Sequence, residues 1–206
     1  QKGKGQEVWR SFTRLRQWYC TKWRQEELTV QIASGSLLIA HPVHAHRENR
    51  KHVVYITEST SASTMGLTLN NLSTYNLQVL MDQKGIDWYG PSEVYTGGEY
   101  NAHALIMLHS HEWYSSNTMD VNNNLALSSD GLMIEKMEMG NTPEWYRLFV
   151  GCKGWEPAEL GHELKGKNPK WLLLAKPSQV LIELSDENLW DNAVAEYSQD
   201  VFDSYF

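Results

Sequence analysis

The stretch WYRLFVGCKGWEPAELGHELKG, residues 145–166, predicts a strand that runs through a turn into a helix. Its first half is rich in aromatic and aliphatic side chains, which favours a strand. Pro157 stands in the first turn of the expected helix, where its missing N–H costs no hydrogen bond. Gly151 and Gly154 are expected to shape the turn that packs Trp155 against a sheet. The stretch therefore indicates a domain in which strands and helices pack together.

On both sides of this stretch, short strands and helices are interleaved without a fixed repeat. Apolar runs bounded by turn residues predict strands, and apolar residues at spacings of three or four predict helices. Strands are expected at 36–40, 52–57, 65–70, 94–99, 102–110, 145–155, 171–176 and 180–184, with a short strand within 122–130. Helices are expected at 7–28, 77–85, 131–140, 156–166 and 185–206. The pattern predicts an α+β fold, with a helical extension over residues 1–33 and one body over residues 34–206.

The charges of the chain are unevenly distributed. The 206 residues carry 18 basic and 25 acidic side chains, a net charge of -7. Residues 1–30 contain seven basic and three acidic side chains, a net charge of +4, which leaves -11 for the remainder. An acidic body is a poor surface for nucleic acid, because affinity for phosphate depends on clustered lysine and arginine. A basic end on such a body indicates a separate attachment element.

Three further features bear on where the protein resides. No run of the sequence is long and apolar enough to span a bilayer, so we expect a soluble protein or one attached to a membrane surface. Cys20 and Cys152 lie far apart and match no metal-binding spacing. Two free thiols are the expected state, with a single disulfide as the alternative. Because the chain begins at Gln1 rather than Met, we expect that it was processed or trimmed.

The N-terminal extension has the pattern of an aromatic amphipathic helix, because aromatic residues recur in it at spacings of three or four. This stripe can pack on the protein's own body or dock on a partner, and aromatic and arginine side chains are favoured at interfaces. Nucleic acid and an anionic membrane are alternative targets, but the acidic body would repel both. The candidate docking residues are Trp9, Phe12, Arg14, Arg16, Trp18, Tyr19 and Trp23 in the extension and Phe202, Tyr205 and Phe206 at the C-terminal end.

The histidine-rich stretch HPVHAH, residues 41–46, raises the question of a metal site. A zinc-dependent hydrolase would need three protein ligands and a water molecule. The candidate ligands are His44, His46, His109 and His111, with Glu48 or Glu112 to complete the set. Because Pro42 places the first two histidines in a loop rather than a strand, we assign no metal ligand. His41 and His109 are expected to be core or strand-end histidines that are held by hydrogen bonds.

Gly97 and Gly98, together with Asn70, form the best candidate for a small-molecule pocket, because paired glycines at a strand end allow a close approach of the backbone. A tight turn with positive φ is the alternative, and we favour it. Cys152 and Ser128 stand in no pattern that resembles a nucleophile elbow. The sequence therefore assigns no catalytic residue, metal ligand or cofactor.

Six segments together resemble the bacterial YqgE/AlgH family. They are GSLLIAHP (35–42), GLTLN (66–70), VYTGGE (94–99), LHS (108–110), FVGCKGWEPAELGHEL (149–164) and ENLWDNAVAEY (187–197), in the order of the family. The resemblance implies a compact α+β fold with a branched mixed sheet surrounded by short helices. It implies no reaction, since the family is labelled as transcriptional regulators and has no established enzymatic activity. Members in plastid-bearing eukaryotes carry an N-terminal extension that begins with a segment similar to WRSF at residues 9–12.

These observations predict a non-enzymatic accessory or scaffolding subunit that docks on a larger protein assembly, such as a plastid or photosynthetic complex. A regulator of gene expression, as the family label suggests, is one alternative. A metal-dependent hydrolase that uses the histidine-rich loop is another. We expect the protein in the plastid stroma or on the stromal face of a membrane complex, with the bacterial cytoplasm as the alternative.

Overall fold

A computed structural model describes residues 32–184 and 186–205 of the chain. The described residues belong to one unit, which begins at Ile32. The helix expected over residues 7–28 lies outside the described residues. Within these two ranges, no helix is both long enough and apolar enough to cross a membrane.

In the described part of the chain, ten strands form one sheet. They are β1 (Leu37–Ala40), β2 (Val53–Ser59), β3 (Thr64–Thr68), β4 (Leu72–Asn76), β5 (Glu93–Thr96), β6 (Tyr100–Ser110), β7 (Met119–Asp120), β8 (Leu125–Ser128), β9 (Tyr146–Trp155) and β10 (Trp171–Leu174). The main path follows the order β10-β1-β2-β3-β9-β6-β8-β7, and β5 and β4 extend from β9 off this path. Neighbours along the path are antiparallel, whereas β5 runs parallel to β9.

The sheet branches at β9, which has three neighbours. The first half of β9 lies between β6 and β5, and Val150 stands opposite Thr96 of β5. The second half lies beside β3, where Lys153 stands opposite Gly66. The predicted branched mixed sheet is therefore confirmed.

Three glycines make the branch possible, because two segments of backbone touch there. A Cβ atom on Gly97 would collide with the backbone of Gly151, and one on Gly98 would collide with the backbone of Cys152. Gly151 also has a φ of +70°, a left-handed conformation that only glycine adopts without strain. A side chain at any of the three positions would collide with backbone, so these glycines allow β9 to pair with three neighbouring strands at this point.

Short helices cover the sheet. They are a 3-10 turn (Arg47–Asn49), α1 (Leu77–Gln83), α2 (Gly131–Glu138), α3 (Pro157–Leu164), α4 (Gln179–Glu183) and α5 (Asp186–Asp203). Asn76, Asp130 and Ser178 cap α1, α2 and α4, since each side-chain oxygen accepts a backbone N–H three residues further on.

The apolar core packs on both faces of the central strands. Leu37 and Tyr55 point into one cluster and Leu38 into another, as expected when successive side chains of a strand alternate between faces. The longest helix in the described part of the chain, α5, is anchored to this core through Trp190, whose indole N–H donates to the carbonyl oxygen of Ala40 at 2.9 Å. The first half of α5 is therefore part of the packed body.

Most of the predicted elements within the described residues are confirmed. Eight predicted strands correspond to β1, β2, β3, β5, β6, β8, β9 and β10; they are those at 36–40, 52–57, 65–70, 94–99, 102–110, 122–130, 145–155 and 171–176. The helices predicted at 77–85, 131–140, 156–166 and 185–206 correspond to α1, α2, α3 and α5. The strand predicted at 180–184 is wrong, because these residues form α4. Ser178 caps this helix, and Leu181 and Ile182 pack into the same core cluster as α5. The apolar run at 180–184 has the length of a strand, but a short buried helix of this length has the same apolar pattern.

Candidate functional site

A polar cleft opens beside the second half of β9. It has a volume of about 340 Å³ and lies among the 3-10 turn, the start of β6, the end of β9, α3 and the start of β10. Its lining, which defines the polar cleft below, consists of residues 46, 48, 49, 99, 100, 152–155, 159, 163, 170 and 171.

Glu163 of α3 is hydrogen-bonded to three other residues that line the polar cleft. Its Oε2 accepts hydrogen bonds from the indole N–H groups of Trp171 at 2.8 Å and Trp155 at 3.2 Å, and its Oε1 pairs with the ammonium of Lys170 at 2.8 Å. Burial alone would raise the pKa of Glu163, but the hydrogen bonds from Lys170 and the two indoles outweigh it and hold the pKa below its usual value. The carboxylate is therefore ionised at neutral pH, and both of its oxygens accept hydrogen bonds from residues that line the cleft.

Lys153 is a half-buried cation in the polar cleft, and the described residues give it no ion pair. Its Nζ donates to Oδ1 of Asn49, a neutral amide, at 3.0 Å. Burial and, secondarily, the charge of Lys153 lower the pKa of His52, which keeps this ring neutral. Nδ1 of His52 is itself buried without a hydrogen-bond partner. Within the described residues, no carboxylate therefore lies at ion-pair distance from Lys153.

Three further carboxylates stand at the polar cleft, on Glu48, Glu99 and Glu159. All three residues are exposed, and none of them forms an ion pair within the part of the chain that the structure describes. The only hydrogen bond that their carboxylates accept from the described residues is a long one, from the backbone N–H of Glu156 to Oε2 of Glu159 at 3.4 Å. With Glu163 and Lys170 already paired, the cleft presents one cation and three carboxylates to solvent.

The predicted pocket residues Asn70, Gly97 and Gly98 line neither the polar cleft nor the apolar cavity described below. Oδ1 of Asn70 accepts the backbone N–H of Val53 at 2.9 Å, and its Nδ2 donates to the carbonyl oxygen of Lys51 at 2.7 Å. Asn70 therefore joins the end of β3 to the start of β2. The glycines provide the predicted close approach of backbone, but toward β9, and neither has the positive φ of the favoured turn. A small-molecule pocket around these residues stays a prediction.

His41 and His109 are held by hydrogen bonds, as predicted. Nδ1 of His41 accepts the backbone N–H of His44 at 3.2 Å. His109 is fully buried, with Nδ1 2.9 Å from the carbonyl oxygen of Ser110 and Nε2 3.0 Å from Oγ of Ser128. Burial, the largest effect on His109, lowers its pKa, so this ring is neutral in the folded protein.

The structure disperses the candidate metal ligands. His44 lies in the loop after β1 and stacks on His41, with ring centroids 4.7 Å apart. His46 lines the polar cleft, and His111 pairs with Asp120 at 2.9 Å. Within residues 32–184 and 186–205, no three histidine, cysteine, aspartate or glutamate side chains are placed to hold a metal ion.

An apolar cavity of about 210 Å³ lies between the β2–β3 and β6–β8 strand pairs and is lined in part by Cys152 and Ser128. Cys152 is a free, buried thiol whose pKa is raised by burial. Oγ of Ser128 forms hydrogen bonds with Nε2 of His109 and, at 2.7 Å, with Oγ1 of Thr118. The serine belongs to a network that joins β6, β8 and the loop before β7, and such satisfied networks rigidify a core.

The C-terminal end of α5 carries the described part of the predicted docking surface. Residues 198–205 are all exposed, and we call them the aromatic helix end. Tyr205 is 81% exposed and Phe202 59% exposed. Asp200 and Asp203 lie beside them, and the last turn of α5 contains no basic residue. The remaining candidate docking residues lie outside the described residues: Trp9, Phe12, Arg14, Arg16, Trp18, Tyr19, Trp23 and Phe206.

The sequence does not predict the polar cleft, because residues of the 3-10 turn, β6, β9, α3 and the start of β10 build it together. The one sequence pattern that could indicate one wall of the cleft is the closeness of Glu163, Lys170 and Trp171, since Trp171 follows Glu163 by eight residues. The hydrogen bonds among them depend on α3 folding back onto the start of β10. Periodicity alone cannot predict that fold-back.

The fold and the site define a class of protein: α+β domains whose mixed sheet branches at one strand, with a charged cleft beside the branch. A model of the AlgH-like family matches residues 37–201. The chain therefore belongs to the AlgH-like family, and the resemblance stated from its sequence motifs is confirmed.

Relatives of the chain are bacterial proteins. A UPF0301 protein of Marinomonas sp. (strain MWYL1) is 32% identical over 133 residues, which cover 63% of this chain and 70% of that protein. A UPF0301 protein of Desulfotalea psychrophila is 31% identical over 153 residues, which cover 72% of this chain and 79% of that protein. The solution structure of the AlgH protein from Pseudomonas aeruginosa superposes with a TM-score of 0.67 at 24% identity, covering 82% of this chain and 89% of that one. This likeness supports the fold alone.

Proposed function

We propose that this AlgH-like protein is a non-enzymatic accessory or scaffolding subunit that docks on a larger protein assembly. The observation that carries the proposal is the exposure of the aromatic helix end, where Tyr205 is 81% and Phe202 59% exposed. Large aromatic rings are favoured interface anchors, because they bury much apolar area at a low cost in conformational entropy. Complete burial of such a side chain on a partner contributes about 1.5–3 kcal/mol.

Charge supports a partner surface that is basic where it meets the aromatic helix end. Asp200 and Asp203 stand near the C-terminus of α5, where the helix dipole is already negative. Acidic side chains at this position are unfavourable in the free protein. A cationic partner surface would remove this repulsion, so docking gains from electrostatics as well as from burial of the rings.

The residues predicted in the extension supply a second docking element in this proposal. The proposed location is the plastid stroma or the stromal face of a membrane complex, which the similarity of residues 9–12 to plastid-type extensions supports. The bacterial cytoplasm is the alternative, and the bacterial origin of the named relatives supports it.

The test compares two double variants of the full chain for association with the assembly purified from the native source. Phe202→Ala with Tyr205→Ala removes the rings of the aromatic helix end. Tyr75→Ala with Tyr89→Ala is the matched control, because these tyrosines are 61% and 78% exposed elsewhere on the surface. Binding is measured by sedimentation and native gel electrophoresis, with thermal melting to verify folding.

We expect the helix-end variant to bind at least about tenfold more weakly, as is usual for interface anchors, and the control to bind like the unchanged chain. Unchanged binding of the helix-end variant contradicts the proposed surface. A mobility-shift titration addresses the alternative of gene regulation. Tight binding to DNA with a steep dependence on salt would favour that alternative instead.

A further inference from the structure

We infer that the polar cleft binds a basic amino acid through its free α-carboxylate and its cationic side chain, either as the carboxy-terminal residue of a polypeptide or as the free amino acid. This site is separate from the aromatic helix end and goes beyond the proposed docking function.

Lys153 provides the group that would receive the carboxylate. Lys153 as a residue is half-buried, and the one acceptor that the described residues give its ammonium is the neutral side-chain amide of Asn49, at 3.0 Å. A partly desolvated charge is costly unless an opposite charge compensates it. Because an ammonium has three donors, the bond to Asn49 leaves Lys153 able to donate to both oxygens of a ligand carboxylate.

Glu48, Glu99 and Glu159 provide the positions for the cationic side chain of the ligand. Their carboxylates belong to three different segments of the chain but line the same cleft as Lys153. Within the described ranges they form no ion pairs, so a bound guanidinium or ammonium would be their first charged partner. The opposite charges of the lysine and the glutamates set the orientation of the ligand.

Tyr100 adds an aromatic wall. Its ring covers Gly154 so closely that a Cβ atom there would lie 3.3 Å from Cδ2 of the tyrosine. Tyr100 is nevertheless 64% exposed, which leaves part of its ring available to a ligand. A cation over such a ring gains about 0.5–1 kcal/mol at an exposed site by attraction to its π face.

The wall that contains Glu163 is held in place, because Glu163 bonds Trp155, Trp171 and Lys170 by three hydrogen bonds. A preorganised wall reduces the entropy that binding would otherwise cost. The volume of the cleft, about 340 Å³, lies at the lower end of the range of about 300–1,000 Å³ that is typical for small-ligand pockets. It suits one amino-acid residue rather than a longer segment.

The experiment measures binding to the full chain by isothermal titration calorimetry with four ligands. Two are a short peptide that ends in arginine and the same peptide with an amidated C-terminus. The other two are free arginine and argininamide. The protein variants are Lys153→Met, Lys153→Arg and Glu99→Gln, with Lys176→Met as a matched control at an exposed position that does not line the cleft.

We expect each free-carboxylate ligand that binds to do so at least about tenfold more tightly than its amide, as expected for a charge-assisted hydrogen bond. Lys153→Met should abolish this discrimination, whereas Lys153→Arg and Lys176→Met should retain it. Glu99→Gln should weaken binding of arginine ligands by several-fold. Preference for the peptide identifies a polypeptide C-terminus as the source, and preference for free arginine identifies the amino acid.

Equal affinity for the carboxylate and amide forms, or a discrimination that survives in Lys153→Met, would overturn the inference. Absence of any binding up to millimolar ligand would overturn it as well. None of these outcomes bears on the aromatic helix end, so this site and the proposed docking surface are tested independently.

Discussion

The polar cleft and the aromatic helix end present different kinds of surface. In the cleft, charged side chains stand beside the branch of the sheet, and Glu163 among them is fixed by hydrogen bonds to two buried indoles. At the helix end, residues 198–205 are exposed and α5 has left the part that Trp190 anchors to the sheet. A fixed concave site suits a small charged ligand, whereas an exposed aromatic end suits a protein surface.

This difference predicts that substitutions near the cleft change stability, and that substitutions at the helix end change association alone. The reason is that a surface side chain with few neighbours loses little on truncation, whereas a group in a packed junction leaves a clash or unpaired polar atoms. The substitutions below are ordered by the size of their expected effect on the free energy of unfolding.

The largest effect is expected for Gly98→Ala, at the branch that supports the floor of the cleft. The added Cβ would collide with the backbone of Cys152 and Lys153, which cannot move without disturbing β9. We expect a loss of about 3 kcal/mol or more, measured by urea unfolding. Gly161→Ala in α3 is the control, since nothing lies within 4 Å of its added Cβ, and it should gain up to about 1 kcal/mol. A harmless Gly98→Ala would contradict the account of the branch.

A smaller loss is expected for Glu163→Ala, which removes the carboxylate that joins one wall of the cleft. The variant leaves the indole N–H groups of the buried Trp155 and Trp171 without their acceptor. We expect a loss of about 2–3 kcal/mol in the free energy of unfolding. Glu48→Ala, which removes an exposed carboxylate of the same cleft, should change stability by no more than about 0.5 kcal/mol. Equal effects of the two variants would mean that Glu163 does not hold the wall.

The same residue predicts a pH dependence. The folded-state pKa of Glu163 lies below the ordinary value of 4.5, so its ionised form stabilises the folded protein above that value. This contribution is lost as the pH falls through the folded-state pKa. The difference in unfolding free energy between the unchanged protein and Glu163→Gln should therefore shrink from neutral pH to about pH 3. A difference that stays constant over this range would show that the carboxylate charge is not involved.

The smallest effect on stability is expected for Tyr205→Ala in the aromatic helix end. Because the side chain is 81% exposed, its removal should change the free energy of unfolding by less than about 0.5 kcal/mol. Urea unfolding checks this directly, with Tyr89→Ala as an equally exposed control. A loss well above that limit would mean that the helix end belongs to the packed body.

Much of the fold could be predicted from the sequence, because most strands are apolar runs between turn residues. The strand β4 could not, since LSTYN is mostly polar and exposed and forms by pairing with β5. The run VLIEL predicts a strand but forms α4, because periodicity cannot distinguish a short buried helix from a strand. The favoured prediction of a tight turn with positive φ at Gly97 and Gly98 is wrong, because neither glycine has a positive φ. Both glycines instead approach the backbone of β9, and a sequence does not state which segment approaches.

The candidate site was harder to predict than the fold. Lys153, Asn49 and Glu99 are far apart in the chain but line the same cleft, where Lys153 bonds to Asn49. The spacing of His44 and His46 suggests a metal site, but His44 stacks on His41 whereas His46 lines the polar cleft. Which charged residues share a cleft depends on the three-dimensional arrangement of distant segments, so single-sequence patterns predict it poorly.

The most direct measurement of the docking claim is photo-crosslinking from single positions within the assembled native complex. A photoreactive phenylalanine analogue replaces Tyr205 in one protein and Tyr89 in another, and the crosslinked products are identified by mass spectrometry. The account predicts that position 205 yields one defined product with a basic surface of a single partner subunit, and that position 89 yields none. Products from position 89 alone, or the same set of products from both positions, would contradict it.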